Sequence, residues 1–121
     1  MKTTELQIGD CVAYRGNYVK VTSLYAKNGS NMVGFTDIEE TWVDGSVIEP
    51  IPLAPEILEK NRFVYSDLPF IQGWQQFGLT LYRGGKGYLI NCGENVAMVV
   101  NYVHQLQHAL RLCGIDKEII L

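Results

Sequence analysis

The segment Asn101–Gly114, with the sequence NYVHQLQHALRLCG, has a pattern that fits only one kind of secondary structure, an amphipathic helix. Its apolar side chains fall within an arc of about 120° on one helix face, and these are Tyr102, Val103, Leu106, Ala109, Leu110 and Cys113. The opposite side carries His104, Gln107, His108 and Arg111. A helix of this kind covers a core, so we expect the preceding strands to form the sheet beneath it.

Both ends of this helix are marked in the sequence. Asn101 suits the N-cap, where a side-chain oxygen accepts a hydrogen bond from a backbone N–H of the first turn. Gly114 suits the left-handed position that ends a helix, and it leaves Ile115 free to fold back towards Leu110. The sequence therefore predicts a helix over residues 101–114.

The first half of the chain predicts a group of short strands. Residues 1–53 contain apolar runs separated by turn signals at Arg15–Tyr18 and Lys27–Asn31. Glycine and asparagine favour the left-handed conformations that tight hairpin turns require. Small SH3-like barrels often begin with this succession of strand, hairpin and short strand, so we expect an SH3-like N-terminal half. That likeness concerns the fold and not the function.

The second half of the chain predicts a short helix followed by more strands. Pro55 at the first helical position and Glu56 beside the positive end of the helix favour a short helix over residues 54–61. Residues 62–100 form a second group of strands, interrupted by a long loop from Ser66 to Gly78.

These segments together define the expected architecture. We expect a chain of 121 residues to form a single domain, 1–121, or two small lobes that share one core. We predict an α+β fold with a bent, mainly antiparallel sheet, an SH3-like N-terminal half, a short middle helix and a longer amphipathic C-terminal helix. The last segment, residues 116–121, ends in three apolar residues that suit a short edge strand.

Composition excludes several classes of protein. A formal net charge of -3 shows no overall excess of basic residues, which argues against a partner of duplex nucleic acid but does not exclude a local basic pocket. No apolar run approaches the roughly 20 residues that span a bilayer, and the polar start Met1–Glu5 is unlike a signal peptide. We therefore expect a cytoplasmic protein without a membrane partner.

The cysteines give no sign of a disulfide framework. Cys11, Cys92 and Cys113 are odd in number and lack the C-x-x-C spacing of metal and redox sites. We expect three reduced thiols, buried as small hydrophobic side chains.

Three phrases of the sequence carry a resemblance to a known family. They are ELQIGDCV at residues 5–12, IEPIPLAPEILEKNRF at residues 48–63 and YVHQLQ at residues 102–107. In their order and spacing they resemble small uncharacterised proteins encoded by phages, prophages and mobile elements of Bacteroides-like bacteria. The chain departs from that pattern at Ala54, where threonine is usual, and at His108, where asparagine is usual. The resemblance implies a cytoplasmic protein of the bacterial host, and it implies no catalytic residues.

Residues capable of metal or catalytic chemistry are present but do not form a recognisable site. His104 and His108 lie four residues apart on the predicted helix, at the spacing of two zinc ligands, yet that face supplies no third ligand. Cys11 and Cys92 lie in no nucleophile motif. We therefore predict no metal, no cofactor and no enzymatic activity.

The candidate binding residues come from two neighbouring segments. Within Gly73–Gly78, glycines flank aromatic and amide side chains that suit stacking on a planar ligand. Within Arg83–Gly87, a hairpin tip presents two cations, but it lacks the spacing of a nucleotide-hydrolase phosphate loop. The predicted ligand-binding residues are Trp74, Gln75, Phe77, Tyr82, Arg83, Lys86 and Tyr88.

These observations lead to one preferred function and two alternatives. We predict a non-enzymatic accessory protein of a phage or mobile element that sequesters a small anionic ligand, such as a nucleotide used as a defence signal by the host. The first alternative is a protein–protein module that inhibits a host enzyme or accompanies phage replication proteins. The second is weak binding of single-stranded nucleic acid. We also expect a homo-oligomer, because two-fold dimers are the commonest assembly.

The predicted absence of a metal can be tested directly. Because the two histidines have no further ligands, treatment with a chelator should leave the melting temperature unchanged. Thermal denaturation with and without EDTA measures this. A stoichiometric transition metal in the purified protein would contradict the prediction and make ligands of His104 and His108.

Overall fold

The computed structural model describes residues 1–35, 42–68, 71–76, 79–84, 87–91 and 97–121. The chain divides into two compact units, Met1–Ile51 and Pro52–Leu121. Across the described residues the strands form two antiparallel sheets, accompanied by two α-helices of which the longer is C-terminal. The predicted α+β class is confirmed.

The first unit contains a five-stranded sheet with the order β4-β3-β2-β1-β5 among the described residues. Its strands are β1 (Cys11–Tyr14), β2 (Asn17–Lys27), β3 (Ser30–Phe35), β4 (Val43–Asp44) and β5 (Ile48–Glu49). Two 3₁₀ turns, Thr3–Glu5 and Gly45–Val47, accompany them. The last strand returns to pair with the first, placing Ile48 opposite Tyr14. The SH3-like character of this unit stays a prediction.

Both predicted turns of the first unit are confirmed. The β1–β2 connection has φ values of 48° at Arg15 and 78° at Gly16. The β2–β3 connection has 52° at Asn28 and 82° at Gly29. Two successive left-handed residues match the right-handed twist of the flanking strands, which explains why these hairpins close tightly.

A buried carboxylate fixes the lead-in to the first sheet. Asp10 is fully buried, and its Oδ2 accepts a hydrogen bond from the backbone N–H of Gln7 at 2.7 Å. The backbone pairs with Val21 on both sides of this residue, through Val21 N to Asp10 O at 2.8 Å and Gly9 N to Val21 O at 2.7 Å. The apolar core around it consists of Leu6, Val12, Tyr14, Val19, Val21, Val33, Phe35, Val43 and Ile48.

The second unit contains a sheet in which each strand pairs with its neighbour in sequence. The order is β10-β9-β8-β7-β6 among the described residues. The strands are β6 (Val64–Leu68), β7 (Ile71–Gln76), β8 (Leu79–Gly84), β9 (Gly87–Asn91) and β10 (Ala97–Val100). The helices are α1 (Pro55–Lys60) and α2 (Val103–Leu112).

The apolar face predicted for the C-terminal helix is confirmed. Val103, Leu106, Ala109 and Leu110 are at most 1% exposed. The polar side was predicted less well, because His104 and Gln107 are also buried, at 4% and 7% exposure. The His104 ring stacks on that of Tyr102, with 5.9 Å between centroids, and meets the His108 ring edge-on at 5.6 Å. The buried surface of α2 is therefore wider than its apolar face alone.

The two ends of α2 differ in how well the sequence predicted them. Asn101 is not the N-cap; Tyr102 takes that position, and Gln105 accepts hydrogen bonds from the backbone N–H groups of Asn101 at 2.7 Å and Tyr102 at 3.2 Å. The Gln105 side chain, which lies inside the helix, thus accepts from two backbone N–H groups that precede the helix. Gly114 does end the helix, with a φ of 74° and a hydrogen bond from Ile115 N to Leu110 O at 2.9 Å.

The C-terminal tail is held by a side chain and not by strand pairing. The Asn61 amide donates to Ile120 O at 2.8 Å and accepts from Ile120 N at 2.7 Å, which imitates one pair of a sheet ladder. No strand is assigned to residues 116–121. Ile119 is buried at 8% exposure, whereas Ile120 is 58% exposed. Self-association of the chain stays a prediction.

The expectation of three reduced thiols is wrong for Cys113. Cys113 is disulfide-bonded, whereas Cys11 is a buried free thiol. Cys92 lies outside the described residues. Cysteines can pair across any sequence separation once the fold brings them together, so the spacing carried no signal for the bond.

The burial of α2 generates a matched pair of substitutions. Leu106→Ala should lower the free energy of unfolding by about 2–5 kcal/mol, because it removes a fully buried side chain and leaves a cavity. Leu112→Ala makes the same chemical change at a position that is 75% exposed and should be nearly neutral. Urea denaturation measures both. Equal losses in the two variants would contradict the orientation of the helix described above.

Candidate functional site

The predicted loop around Trp74 is a strand. Ser66–Gly78 was expected to be a long loop, but β6 and β7 occupy most of it and pair antiparallel. The sequence signal that misleads is Gly73, which resembles a loop residue. Inside β7 it has a φ of 146°, and a Cβ there would collide with the carbonyl oxygen of Leu81. Glycine in this strand permits a close approach of two backbones.

Strand register places Trp74 on the buried side of the sheet near its β6 edge. Trp74 lies opposite Tyr65 on one side and Leu81 on the other, and directly paired residues share a face. Leu81 is fully buried, whereas Trp74 is half-buried and Tyr65 is 55% exposed. This face of the sheet is thus buried at β8, half-buried at β7 and exposed at β6.

A half-open cavity of about 560 Å³ lies where this face opens. We call it the aromatic groove, and its lining residues are Pro55, Glu59, Tyr65, Gly73, Trp74, Tyr82 and Arg83. Its volume lies within the range of small-molecule sites, about 300–1,000 Å³. Helix α1 contributes Pro55 and Glu59, and strands β6, β7 and β8 contribute the remaining residues.

Two aromatic rings in the groove contact each other. The ring centroids of Tyr65 and Trp74 are 5.4 Å apart, and the ring planes are inclined by 59°. A tilted pair leaves one ring face uncovered by the other, and such a face can stack on a planar molecule. Tyr82 is half-buried and also lines the groove, but its pairing with Leu89 puts its ring on the sheet face opposite to Leu81.

The groove also contains one charge of each sign. Arg83 and Glu59 both line it and are both exposed. Among the described residues no salt bridge joins them or engages either side chain. The guanidinium therefore offers its two-pronged donor geometry to a phosphate or carboxylate. The carboxylate is available to an amino or other N–H donor.

The structure brings some of the predicted site residues together and separates others. Trp74, Tyr82 and Arg83 line the aromatic groove. Gln75 follows Trp74 in β7 and does not line it, as expected for the alternation of side chains along a strand. Tyr88 lies opposite Arg83 in β9 and is only 6% exposed. Phe77 and Lys86 lie outside the described residues.

Apart from Gly73, which lies in the predicted segment Gly73–Gly78, three lining residues were missed by the sequence interpretation. Tyr65 was assigned to a strand, but only the register with Trp74 shows that the two side chains meet. Pro55 and Glu59 were assigned to the short helix. Their spacing of four residues puts them on one helical face. The spacing alone does not show which strands that face meets.

The histidines of α2 do not form part of a metal cluster in the described ranges. No group of three or more His, Cys, Asp or Glu side chains suited to a metal ion occurs there. Within those same ranges, no helix has the length and apolar character needed to cross a bilayer.

The sequence matches no protein-family model and no curated protein, and no solved structure matches the chain.

The close packing at Gly73 yields a test of the groove's construction. Gly73→Ala should destabilise the protein by more than about 1–2 kcal/mol, because the strain of a positive φ adds to a backbone collision. Gly29→Ala is the control, since its φ of 82° is also positive but nothing lies within 4 Å of an added Cβ. Thermal denaturation compares the two. A smaller loss at Gly73 than at Gly29 would mean that β7 and β8 are further apart than described.

Proposed function

We propose that this chain is a non-enzymatic binding protein that captures a small, planar, anionic ligand in the aromatic groove. The observation that supports the proposal is the meeting of Trp74, Tyr82 and Arg83, chosen from the sequence as binding residues, in one cavity of about 560 Å³. A nucleotide has the required combination of an aromatic ring and a phosphate. Capture of a host nucleotide signal by a phage or mobile-element protein belongs to the same proposal, on the strength of the sequence resemblance.

The groove separates the two kinds of contact that such a ligand needs. The ring would stack on Trp74 or Tyr65, where a planar surface excludes water from an apolar face. The phosphate would pair with Arg83, whose neighbour Gly84 ends strand β8. Glu59 would accept a hydrogen bond from an amino group at the ring edge. A single described cation favours ligands with one phosphate group over those with several.

Calorimetry with a panel of mono-, di- and cyclic nucleotides tests this proposal. At least one member should bind with micromolar or tighter affinity. Trp74→Ala should weaken that binding by about 1–3 kcal/mol, the usual contribution of a stacked base. Arg83→Ala, made as a separate single substitution, should weaken the binding by about 1.5–3 kcal/mol through loss of a charged hydrogen bond.

The first unit supplies matched controls for both substitutions. Trp42 is 41% exposed and its ring lies 6.0 Å from that of Tyr25, an aromatic pair like that of the groove. Trp42→Ala and Arg15→Ala should therefore leave binding unchanged. Absence of any binder in the panel would refute the nucleotide proposal. Equal effects of Trp42→Ala and Trp74→Ala would refute the site.

One observation favours the alternative of a protein–protein module. Val99 and Leu89 lie opposite each other on the face of the second sheet turned away from Ile90 and Val100, and they are 61% and 37% exposed. Adjacent exposed apolar side chains of this kind occur at protein-binding surfaces. If that surface binds a host protein, Val99→Ser should abolish the interaction in a pull-down while Trp74→Ala has no effect.

A further inference from the structure

A second cavity lies at the other end of helix α1. It has a volume of about 370 Å³, and its lining residues are Lys60, Asn61, Arg62, Gln76, Lys117, Glu118, Ile119 and Ile120. We call it the tail cavity, because half of its lining comes from residues 117–120. Among the residues that the structure describes, it shares no lining residue with the aromatic groove.

The tail cavity is positive in a chain that is negative as a whole. Of its eight described lining residues three are cationic and one is anionic, whereas the complete sequence has a formal net charge of -3. A bound anion would lower the excess of positive charge, while Lys60 keeps its hydrogen bond to Leu121 O and Lys117 keeps an interaction within the protein. The charge of the cavity therefore matches an anionic ligand.

Arg62 occupies a backbone position that favours glycine. Its φ is 66°, in the left-handed region, and the hydrogen bond from Phe63 N to Leu58 O at 2.9 Å closes the end of α1 around it. Glycine usually fills this position because a Cβ is strained there. Arg62 is exposed and lines the cavity, so its guanidinium is accessible to a ligand.

The walls of the tail cavity are held in place independently of any ligand. Asn61 bonds both ways to Ile120, and its Nδ2 also donates to Ile57 O at 2.8 Å. The Lys60 Nζ donates to Leu121 O at 2.6 Å. These contacts join the tail to α1, so that Lys117 is kept on the same cavity as Arg62. Such preorganisation lowers the entropy that binding would otherwise cost.

We propose that the tail cavity binds a tetrahedral oxyanion of the phosphate class. Arg62 supplies planar, two-pronged donors, Lys60 and Lys117 supply point charges, and Gln76 supplies an amide N–H. This site is separate from the aromatic groove and stands whether or not the groove binds a nucleotide. The same chemistry recognises inorganic phosphate and a phosphate group carried by a larger molecule.

NMR titration of the full chain with inorganic pyrophosphate tests the proposal, with sodium chloride used to hold the ionic strength constant. The backbone amides of Arg62, Gln76 and Lys117 should shift and saturate together. Adenosine monophosphate in a parallel titration distinguishes the source of the phosphate, since shifts confined to these amides indicate recognition of the phosphate alone. Shifts that do not saturate, or that are centred on Arg83, would overturn the proposal.

Arg62→Gly gives a pair of opposite expected effects. Pyrophosphate binding should weaken roughly tenfold, because a charged hydrogen-bond donor is lost. The melting temperature should rise, because glycine relieves the left-handed strain. Arg15→Gly is the matched control, as Arg15 has a φ of 48° in the first unit. It should leave pyrophosphate binding unchanged.

Two more variants complete the test. Lys117→Gln removes a charge from the tail without altering the end of α1, and it should also weaken binding. Trp74→Ala should have no effect on pyrophosphate. Unchanged binding in Arg62→Gly and Lys117→Gln, equal weakening in Arg15→Gly, or loss of binding in Trp74→Ala would each overturn the assignment to the tail cavity.

Discussion

Burial of one face of α2 together with one face of the second sheet is the constraint on which the second unit depends. Leu106 and Leu110 on the helix, and Leu81 and Ile90 in the strands, are at most 1% exposed. Once the strand register assigns Leu81 to the buried face, it assigns Trp74 to that face too, because the two residues are directly paired. The aromatic groove is therefore the open margin of the same surface that closes over the core.

The parts of the fold that the sequence predicted are those governed by local chemistry. The helix of residues 103–112, the left-handed turn at Gly114 and the hairpins at Gly16 and Gly29 follow from side-chain periodicity and allowed φ values. The misjudged parts depend on contacts between distant residues. Burial of His104 and the bond at Cys113 each require partners that only the folded chain brings close.

The residues of the candidate site also differ in whether local chemistry or distant contacts reveal them. Trp74 and Arg83 were recognised by residue type, because an aromatic ring is suited to stacking and a guanidinium to binding anions wherever they lie in the fold. Tyr65 and Glu59 were not, because their role depends on where β6 and α1 lie within the second unit. Gly73 is the clearest example. Glycine is common in loops, but here it lies in a strand, because any side chain would collide with the carbonyl oxygen of Leu81.

The sheet order of the second unit has a consequence for how the protein folds. Every strand from β6 to β10 pairs with its neighbour in sequence, so its contacts are of low contact order and each hairpin can template the next. The first unit must instead bring Ile48 back to Tyr14, which requires closing a much longer loop. The sheet of the second unit should accordingly form early, whereas the return of β5 and the docking of Ile120 on Asn61, 59 residues away in the sequence, should be slower events. On a ribosome, the sheet that is synthesised later would be the sheet that forms faster.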